Sequence, residues 1–320
     1  MSNEFSINQV NFHNSSEKDE GQRLDNLLMK LLKGVPKSHI YRIIRDGEVR
    51  VNKKRAEAKY KVELNDLIRI PPIKVAIKEN NENFIPVAKF PIIFEDEYFL
   101  IIDKPDGVAC HGGSGISFGV IEQLRQNTEH QKFLELAHRL DRDTSGILIL
   151  AKKRLALVEL QKIMRSGDMK KRYLALTIGV WKNNQENLKA PLTAYLTKEG
   201  ERRVRVDREL GQYSQTNFTV MNKYTDFTLV KADLKTGRTH QIRVHLQHLG
   251  YPIVGDKKYG DFELNKQLSK HGLKRMFLHA YEMEFIHPMT QEKIKLKAEL
   301  PDHLTQFLQK ITKPLLKRST

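Results

Sequence analysis

Apolar residues in the first quarter of the chain recur at helical spacing. Leucines after residue 23 fall at i, i+3, i+4, i+7 and i+8, on one face of a helix: Leu24, Leu27, Leu28, Leu31 and Leu32. Ser38 is a suitable N-cap for a second helix, whose isoleucines at 40, 43 and 44 would face inward. Asp46-Gly47 then turns the chain into two short strands, "EVRVN" and "LIRIP". The pattern predicts a small unit of helices and strands over residues 21–72, after a loose polar arm at residues 1–20.

The pattern changes beyond residue 72. Residues 73–90 are polar with weak periodicity and are predicted to form a linker. From residue 91 onward, segments rich in β-branched and aromatic residues outnumber helical ones, and many follow one another directly. "GILILAKK" is a continuous apolar run, as expected of a buried strand. The chain is therefore predicted to be α+β, with a mixed, mainly antiparallel sheet in a larger domain over residues 91–310 and a basic tail at 311–320.

The charge of the chain narrows the choice of partner. Lys and Arg number 55 against 39 Asp and Glu, which gives a net charge of +16. An excess of this size favours a polyanion, with nucleic acid as the first candidate and an anionic membrane surface as the second. The sequence shows no basic helix with a broad apolar face, which argues against the membrane. A charge that only aids solubility is the third interpretation.

Cysteine content and the N-terminus bear on location. The chain has one cysteine, Cys110, so neither an internal disulfide nor a cysteine-rich metal site is expected, and Cys110 is predicted to be a small packed residue. The N-terminal stretch lacks the apolar segment of a signal peptide. No apolar run approaches the roughly 18 residues of a membrane span. These features predict a soluble, cytoplasmic protein with no membrane partner.

The stretch "HRLDRDTSG", residues 138–146, concentrates polar side chains between two apolar runs. A zinc hydrolase would need a different histidine spacing, and a serine nucleophile would need a G-x-S-x-G turn, so no metal site and no serine hydrolase is predicted. "HGGSG" at 111–115 lacks the Lys-Ser/Thr ending of a phosphate loop. A single aspartate can carry chemistry if a guanidinium keeps it ionised in a pocket that excludes water. "KTGRTHQIRVH" offers two arginines for this pairing, Arg238 and Arg243.

Three stretches together resemble the motifs of a known family. "HRLDRDTSG", "KKRYLAL" and "KTGRTHQIRVHLQHLGYPIVGDKKYG" are similar to the motifs of the RluA family of pseudouridine synthases, over about residues 91–307. The unit at 21–72 resembles the S4 RNA-binding domain, and with "HGGSGISFGVIE" the whole is most similar to the RluC branch. The S4 resemblance departs at Lys53 and Asn65, where that family commonly has glycine.

The resemblance implies a reaction and roles for individual residues. The N1–C1′ bond of a uridine in large-subunit (23S) ribosomal RNA would break and the uracil would rejoin through C5, with no cofactor. Asp141 would be the nucleophile, acting either on C1′ or on the C2′ proton. Tyr173 would stack on the base and help to remove the C5 proton, and Arg238 would orient Asp141. Arg139 would enter the RNA helix that the flipped uridine leaves.

The resemblance also implies how RNA is held. The S4 unit would contact the RNA backbone through its second helix and the following turn, with these residues: Lys37, Ser38, Tyr41, Arg42, Arg45, Lys53 and Lys54. The other polar residues of 138–146, including His138, Asp143, Thr144 and Ser145, are predicted to hold the loop in shape. The enzyme would act as a monomer on the RNA or on an assembly intermediate of the large subunit. A ribosome-assembly factor without chemistry and an RNA glycosidase are the competing hypotheses.

Overall fold

A computed structural model describes residues 9–32, 35–73, 89–112, 118–126, 133–198 and 200–312 of the chain. The chain divides into two compact units, Met1–Phe84 and Ile85–Thr320. Most of the predicted linker at 73–90 and of the predicted tail at 311–320 lies outside the described residues.

The first unit packs two helices on a four-stranded antiparallel sheet. Its elements are β1 (Asn11–Asn14), α1 (Leu24–Leu31), α2 (Lys37–Arg45), β2 (Arg50–Val51), β3 (Lys54–Arg55) and β4 (Leu67–Ile70). The strand order in the sheet is β1-β4-β2-β3. The leucines and isoleucines singled out above fill the core of the unit, together with Val49, Val51, Ile68 and Ile70.

Two expectations for this unit are wrong. The polar arm at 1–20 includes β1, which pairs antiparallel with β4, and Ser15 and Asp19 behind it are buried. With a single large apolar residue, Phe12, β1 has no hydrophobic pattern, and its pairing satisfies backbone groups that β4 would otherwise leave open. Helix α2 begins at Lys37 after Pro36, so Ser38 lies inside the first turn and does not cap it.

The two departures from the S4 pattern occur at turns that need left-handed backbone. Asn52 and Lys53 have φ values of 50° and 67° in the turn between β2 and β3, and Asn65 has a φ of 65° before β4. Glycine adopts this region without strain, whereas asparagine tolerates it and lysine does so at a cost. The Asn52 side chain offsets part of that cost, because it donates to Asp66 and accepts from the backbone N–H of Leu67.

The second unit is built on a ten-stranded sheet and a separate two-stranded hairpin. The strands of the sheet are β5 (Ile92–Glu95), β6 (Phe99–Lys104), β7 (Glu135–Leu136), β8 (Ser145–Ala151), β9 (Lys170–Ile178), β10 (Gln185–Lys189), β13 (Gln215–Lys223), β14 (Phe227–Leu234), β15 (Leu278–Ile286) and β16 (Lys293–Lys297), and the hairpin comprises β11 (Leu192–Leu196) and β12 (Arg202–Val206). The order in the sheet is β10-β13-β14-β9-β15-β8-β6-β5, with β16 added beside β15 and β7 beside β8. Among the described strands, β8 and β15 run parallel and the other pairs are antiparallel. This confirms the α+β class and the mixed, mainly antiparallel sheet.

Helices and side chains cover both faces of this sheet. The helices are α3 (Val120–Arg125), α4 (Arg154–Ser166), α5 (Gln241–His248), α6 (Phe262–Lys270) and α7 (Asp302–Lys310). Strand β8 is buried at every residue, with Leu148 and Leu150 in one core cluster and Ile147 and Ile149 in another. Burial on both faces explains why "GILILA" is apolar throughout.

Candidate active site

Asp141 lies on the loop that enters β8. The turn is closed by the Thr144 N–H, which donates to the Asp141 carbonyl at 3.1 Å. Next to it, the Sγ of buried Cys110 accepts from the Leu140 N–H at 3.2 Å and donates to the Leu140 carbonyl at 3.3 Å. Cys110 is therefore a packed residue, as predicted, and it fixes the backbone immediately before Asp141.

Two buried cationic side chains, Lys104 and Arg275, bind the backbone of the loop that carries Asp141. Lys104 Nζ donates to the carbonyls of Pro105, Val108 and Arg142, the last at 3.1 Å, and burial lowers the pKa of this lysine to about 8. Arg275 donates to the Asp143 carbonyl, to Ser145 Oγ and to the Asp106 carboxylate. Backbone carbonyls that would otherwise be unpaired in the interior thus have donors, and the loop has little freedom to move.

The histidine of "HRLDRDTSG" has a structural role in this arrangement. His138 Nε2 accepts from the Ile149 N–H of β8 at 3.1 Å. Burial, with a smaller contribution from the charge of Lys171, lowers the pKa of His138 to about 4, so the ring stays neutral and can accept this bond. The glycine that ends the motif also serves packing. Gly146 has a φ of 107°, and a Cβ there would meet the Ala280 carbonyl oxygen of β15 at 2.3 Å.

The guanidinium paired with Asp141 belongs to Arg243 on α5. Arg243 Nη1 donates to Asp141 Oδ2 at 2.7 Å, while its Nε and Nη2 donate to the two oxygens of Asp256 at 2.7 and 2.8 Å. Burial works against the charge of Arg243, but the hydrogen bonds and charges of Asp256 and Asp141 outweigh it and raise its pKa. The assignment of Arg238 as the residue that orients Asp141 is therefore corrected in favour of Arg243.

Arg238 lies in the turn before α5, where its side chain is exposed. Its Nε donates to the Tyr213 carbonyl at 3.2 Å. The helix begins only after His240, so Arg243 in its first turn faces the interior while Arg238 stays at the rim. Arg238 and the exposed Arg139 line the same cleft as Asp141.

Tyr173 on β9 lines the same cleft and is 8% exposed. Burial, followed by the negative charge of Asp141, raises the pKa of Tyr173. The phenol therefore keeps its proton, and its ring offers a flat apolar face beside the carboxylate. A protonated phenol suits stacking better than proton removal.

The cleft brings together the four residues that the sequence selected for the larger domain. It has an empty volume of about 480 Å³, and these residues reach it from the loop before β8, from β9 and from the turn before α5: Arg139, Asp141, Tyr173 and Arg238. The other polar residues of the lining are Thr144, His240, Gln241 and Arg243. The Asp141 side chain is 30% exposed, so the carboxylate is reachable from solvent rather than sealed.

Comparison with known proteins decides the family. The profile of the RNA pseudouridylate synthase family matches residues 98–248, and that of the S4 domain matches residues 22–68. Ribosomal large subunit pseudouridine synthase C of Pasteurella multocida is 50% identical over 298 residues, 92% of this chain and 91% of that protein. The protein of the same name from Escherichia coli K12 is 49% identical over 300 residues, 92% of this chain and 94% of that protein. This chain belongs to the RNA pseudouridine synthase family.

Solved structures agree on the fold of this pseudouridine synthase. Human RNA Pseudouridylate Synthase Domain Containing 4 matches with a TM-score of 0.56 at 24% identity, covering 69% of this chain and 92% of that one. Human RNA Pseudouridylate Synthase Domain Containing 1 matches with a TM-score of 0.55 at 23% identity, covering 71% and 98%. The similarity to the RluC branch and the S4 assignment made from the motifs are confirmed.

The S4 unit of the synthase presents its predicted RNA contacts to solvent. All seven of them are exposed: Lys37, Ser38, Tyr41, Arg42, Arg45, Lys53 and Lys54. The orientation of Tyr41 is held by a hydrogen bond, because its hydroxyl donates to the buried carboxylate of Asp25 at 3.0 Å. Arg23 binds the same carboxylate. The three basic residues of α2, namely Lys37, Arg42 and Arg45, are called the α2 cations below.

Several residues of the site escaped the sequence analysis. Asp256 and Tyr259 lie in "VGDKKYG" and Lys104 in "DKPDG", stretches whose chemistry is visible only once their partners are known. The signal that could have found Asp256 is a carboxylate that directly follows the apolar run "PIV" and a glycine, since a buried charge needs a partner. Within the described residues, no group of three or more acidic, histidine or cysteine side chains could hold a metal ion, and no helix is both long and apolar enough to span a membrane.

Proposed function

We propose that this synthase converts specific uridines of large-subunit ribosomal RNA to pseudouridine, with Asp141 as the nucleophile. The observation that carries the proposal is the partly exposed carboxylate of Asp141, held by Arg243 beside the ring of Tyr173 in one cleft. The relatives named ribosomal large subunit pseudouridine synthase C support this choice of substrate. Such an RNA substrate would be met in the cytoplasm, free or in an assembling subunit, by the enzyme as a monomer.

The chemistry needs only these side chains and the RNA. The N1–C1′ bond breaks, the uracil turns, a C5–C1′ bond forms, and the proton that leaves C5 is balanced by one gained at N1. No external reagent enters this balance, so no cofactor is proposed. Asp141 serves equally if it adds to C1′ or removes the C2′ proton, because each route starts from an ionised carboxylate facing the sugar.

The site requires a nucleotide that has left its helix. A carboxylate 30% exposed at the base of a cleft cannot reach C1′ of a stacked uridine. Tyr173 would stack on the extruded uracil, and Arg139 at the rim would take the vacated place in the helix. The α2 cations would supply backbone affinity that depends on salt.

A substitution of the nucleophile tests the proposal. Asp141→Asn should keep RNA affinity and lose pseudouridine formation, measured as tritium release from C5-labelled uridine in ribosomal RNA. The matched control is Asp143→Asn, a carboxylate of the same loop whose side chain contacts Arg142 at the surface. The control should retain most of the rate. Turnover by Asp141→Asn would refute the role of Asp141, and release of free uracil by the unaltered enzyme would indicate a glycosidase.

A further inference from the structure

His240 lies in the cleft without a role in the reaction described so far. It precedes α5 with a φ of 53°, a backbone conformation that residues other than glycine seldom adopt. Its side chain is 15% exposed and its Nε2 lies 3.9 Å from Asp141 Oδ1. Strained backbone that carries a ring to within 4 Å of the nucleophile points to a function for that ring.

The hydrogen bonds behind the ring fix which nitrogen carries the proton. The Tyr259 hydroxyl accepts from the Val204 N–H at 2.9 Å and lies 2.8 Å from His240 Nδ1. Among the described residues, His240 Nδ1 is the acceptor available for the hydroxyl hydrogen of Tyr259. The phenol therefore donates to Nδ1, and the neutral ring carries its own hydrogen on Nε2, directed at the cleft. Burial lowers the pKa of His240, which favours this neutral form.

The gap between Nε2 and Asp141 Oδ1 selects a particular kind of group. Arg243 binds the other oxygen, Oδ2, so Oδ1 faces the cleft as an acceptor. Two atoms 3.9 Å apart can both reach one atom placed between them at hydrogen-bond distance. That atom must accept from Nε2–H and donate to Oδ1, and a hydroxyl does both. A uracil carbonyl or a phosphate oxygen can only accept, and the carboxylate would repel it.

We propose that His240 and Asp141 together hold the 2′-hydroxyl of the target uridine, which makes this pair the determinant that separates ribose from deoxyribose in the cleft. The inference rests on the proposed function, because it presumes that Asp141 faces the sugar. The 2′-hydroxyl is the RNA group that is both donor and acceptor next to C1′. Tyr259 acts as a positioning residue that fixes the tautomer of His240.

A double-mutant cycle between protein and RNA tests the inference. The first change is His240→Phe, which keeps a ring and removes the Nε2 donor. The second change is a single 2′-deoxyuridine at the target position of an otherwise unmodified ribosomal RNA fragment. Single-turnover rate and dissociation constant are measured for all four combinations, and the dissociation constant alone is used where the deoxy target does not react. His248→Phe, which changes the exposed histidine at the end of α5, is the matched control.

If His240 and the 2′-hydroxyl share one hydrogen bond, the losses caused by the two changes should not multiply when the changes are combined. Either change alone should cost roughly tenfold, the value of one hydrogen bond in a site, and the two together should cost little more than one. His240→Gln, which restores an N–H donor, should recover part of the loss, and Tyr259→Phe should cost an intermediate factor. Circular dichroism melting curves confirm that each variant is folded.

The inference is overturned if the losses from the protein change and from the RNA change are independent and simply multiply. If His240→Phe weakens the deoxy target as strongly as the ribose target, the ring contacts the base or another part of the RNA. No effect of His240→Phe on either target would overturn it as well. Failure of the proposed function is a separate result, because it would show as an absence of pseudouridine with the unaltered enzyme and the unmodified RNA.

Discussion

Replacing Arg243 by lysine should slow the chemical step while Arg238→Lys leaves it nearly unchanged. The Arg243 guanidinium reaches two carboxylates at once, with one N–H on Asp141 and two on Asp256, all within 2.7–2.8 Å. A lysine keeps the charge but has a single ammonium, which cannot span both carboxylates in that planar geometry. The side chain should stay with buried Asp256, and Asp141 would lose its fixed orientation.

The contacts of the two arginines give the expected size of the effect of each substitution. A hydrogen bond between charged groups contributes about 1.5–3 kcal/mol. At ~1.4 kcal/mol for each tenfold change in rate, loss of the bond to Asp141 should slow turnover roughly 10- to 100-fold. Asp256 is fully buried, so an incomplete partner there should lower the free energy of unfolding by up to about 3–5 kcal/mol. Arg238 is exposed and bound to one backbone carbonyl, so its replacement should cost less than tenfold.

The assay is single-turnover tritium release from C5-labelled ribosomal RNA at saturating enzyme, well below the melting temperature of each variant. Saturation separates the chemical step from RNA affinity, to which we expect Arg238 at the rim to contribute. An equal or larger loss with Arg238→Lys would refute the assignment of Arg243. A full rate with Arg243→Lys would show that the reaction does not depend on the N–H that Arg243 donates to Asp141.

Three further predictions concern stability and RNA affinity. Gly146→Ala should cost at least ~3 kcal/mol in urea unfolding, because a Cβ would meet the Ala280 carbonyl at 2.3 Å, whereas Gly167→Ala, also at a positive φ but in open space, should cost only about 1 kcal/mol. Burial lowers the pKa of His279 to about 4, below about 6.5 in the unfolded chain, so the unfolded state takes up its proton first. The free energy of unfolding should therefore fall as pH drops from about 6.5 to 4, and urea titrations should show a shallower fall for His279→Gln. Replacing the α2 cations by glutamine should reduce the slope of log affinity against log salt by roughly 0.7–0.9 for each RNA phosphate that the variant no longer neutralises, which unchanged filter-binding slopes would contradict.

The sequence alone was sufficient to predict the helices and strands whose apolar residues follow a clear pattern. The leucine and isoleucine spacings of α1 and α2 and the apolar run of β8 each match one face or both faces of a buried element. Strand β1 could not be found this way, because what holds it is backbone pairing with β4 and a buried serine rather than apolar side chains. Patterns of side chains do not report on pairing of that kind.

The choice between Arg238 and Arg243 shows where sequence reasoning stops. Both arginines lie in the same motif, five residues apart, and either could pair with an aspartate. What decides between them is the position at which α5 begins, set by the left-handed His240, and the buried Asp256 that anchors the second edge of Arg243. Both are tertiary features, so the motif predicted that a guanidinium would hold Asp141 without indicating which one.

The charges around Asp141 favour one kind of transition state. Asp141, Asp256 and Arg243 together carry a net charge of −1, since one guanidinium serves two carboxylates and the neighbouring His240 is neutral. Breaking a glycosidic bond leaves positive charge on the sugar, and a site that is already negative and rigid stabilises that charge without rearranging. The same negative charge would repel RNA phosphates, and the exposed guanidinium groups of Arg139 and Arg238 lie at the rim, where the backbone must pass. We therefore expect the rim arginines to act on RNA affinity and the buried one to act on the rate.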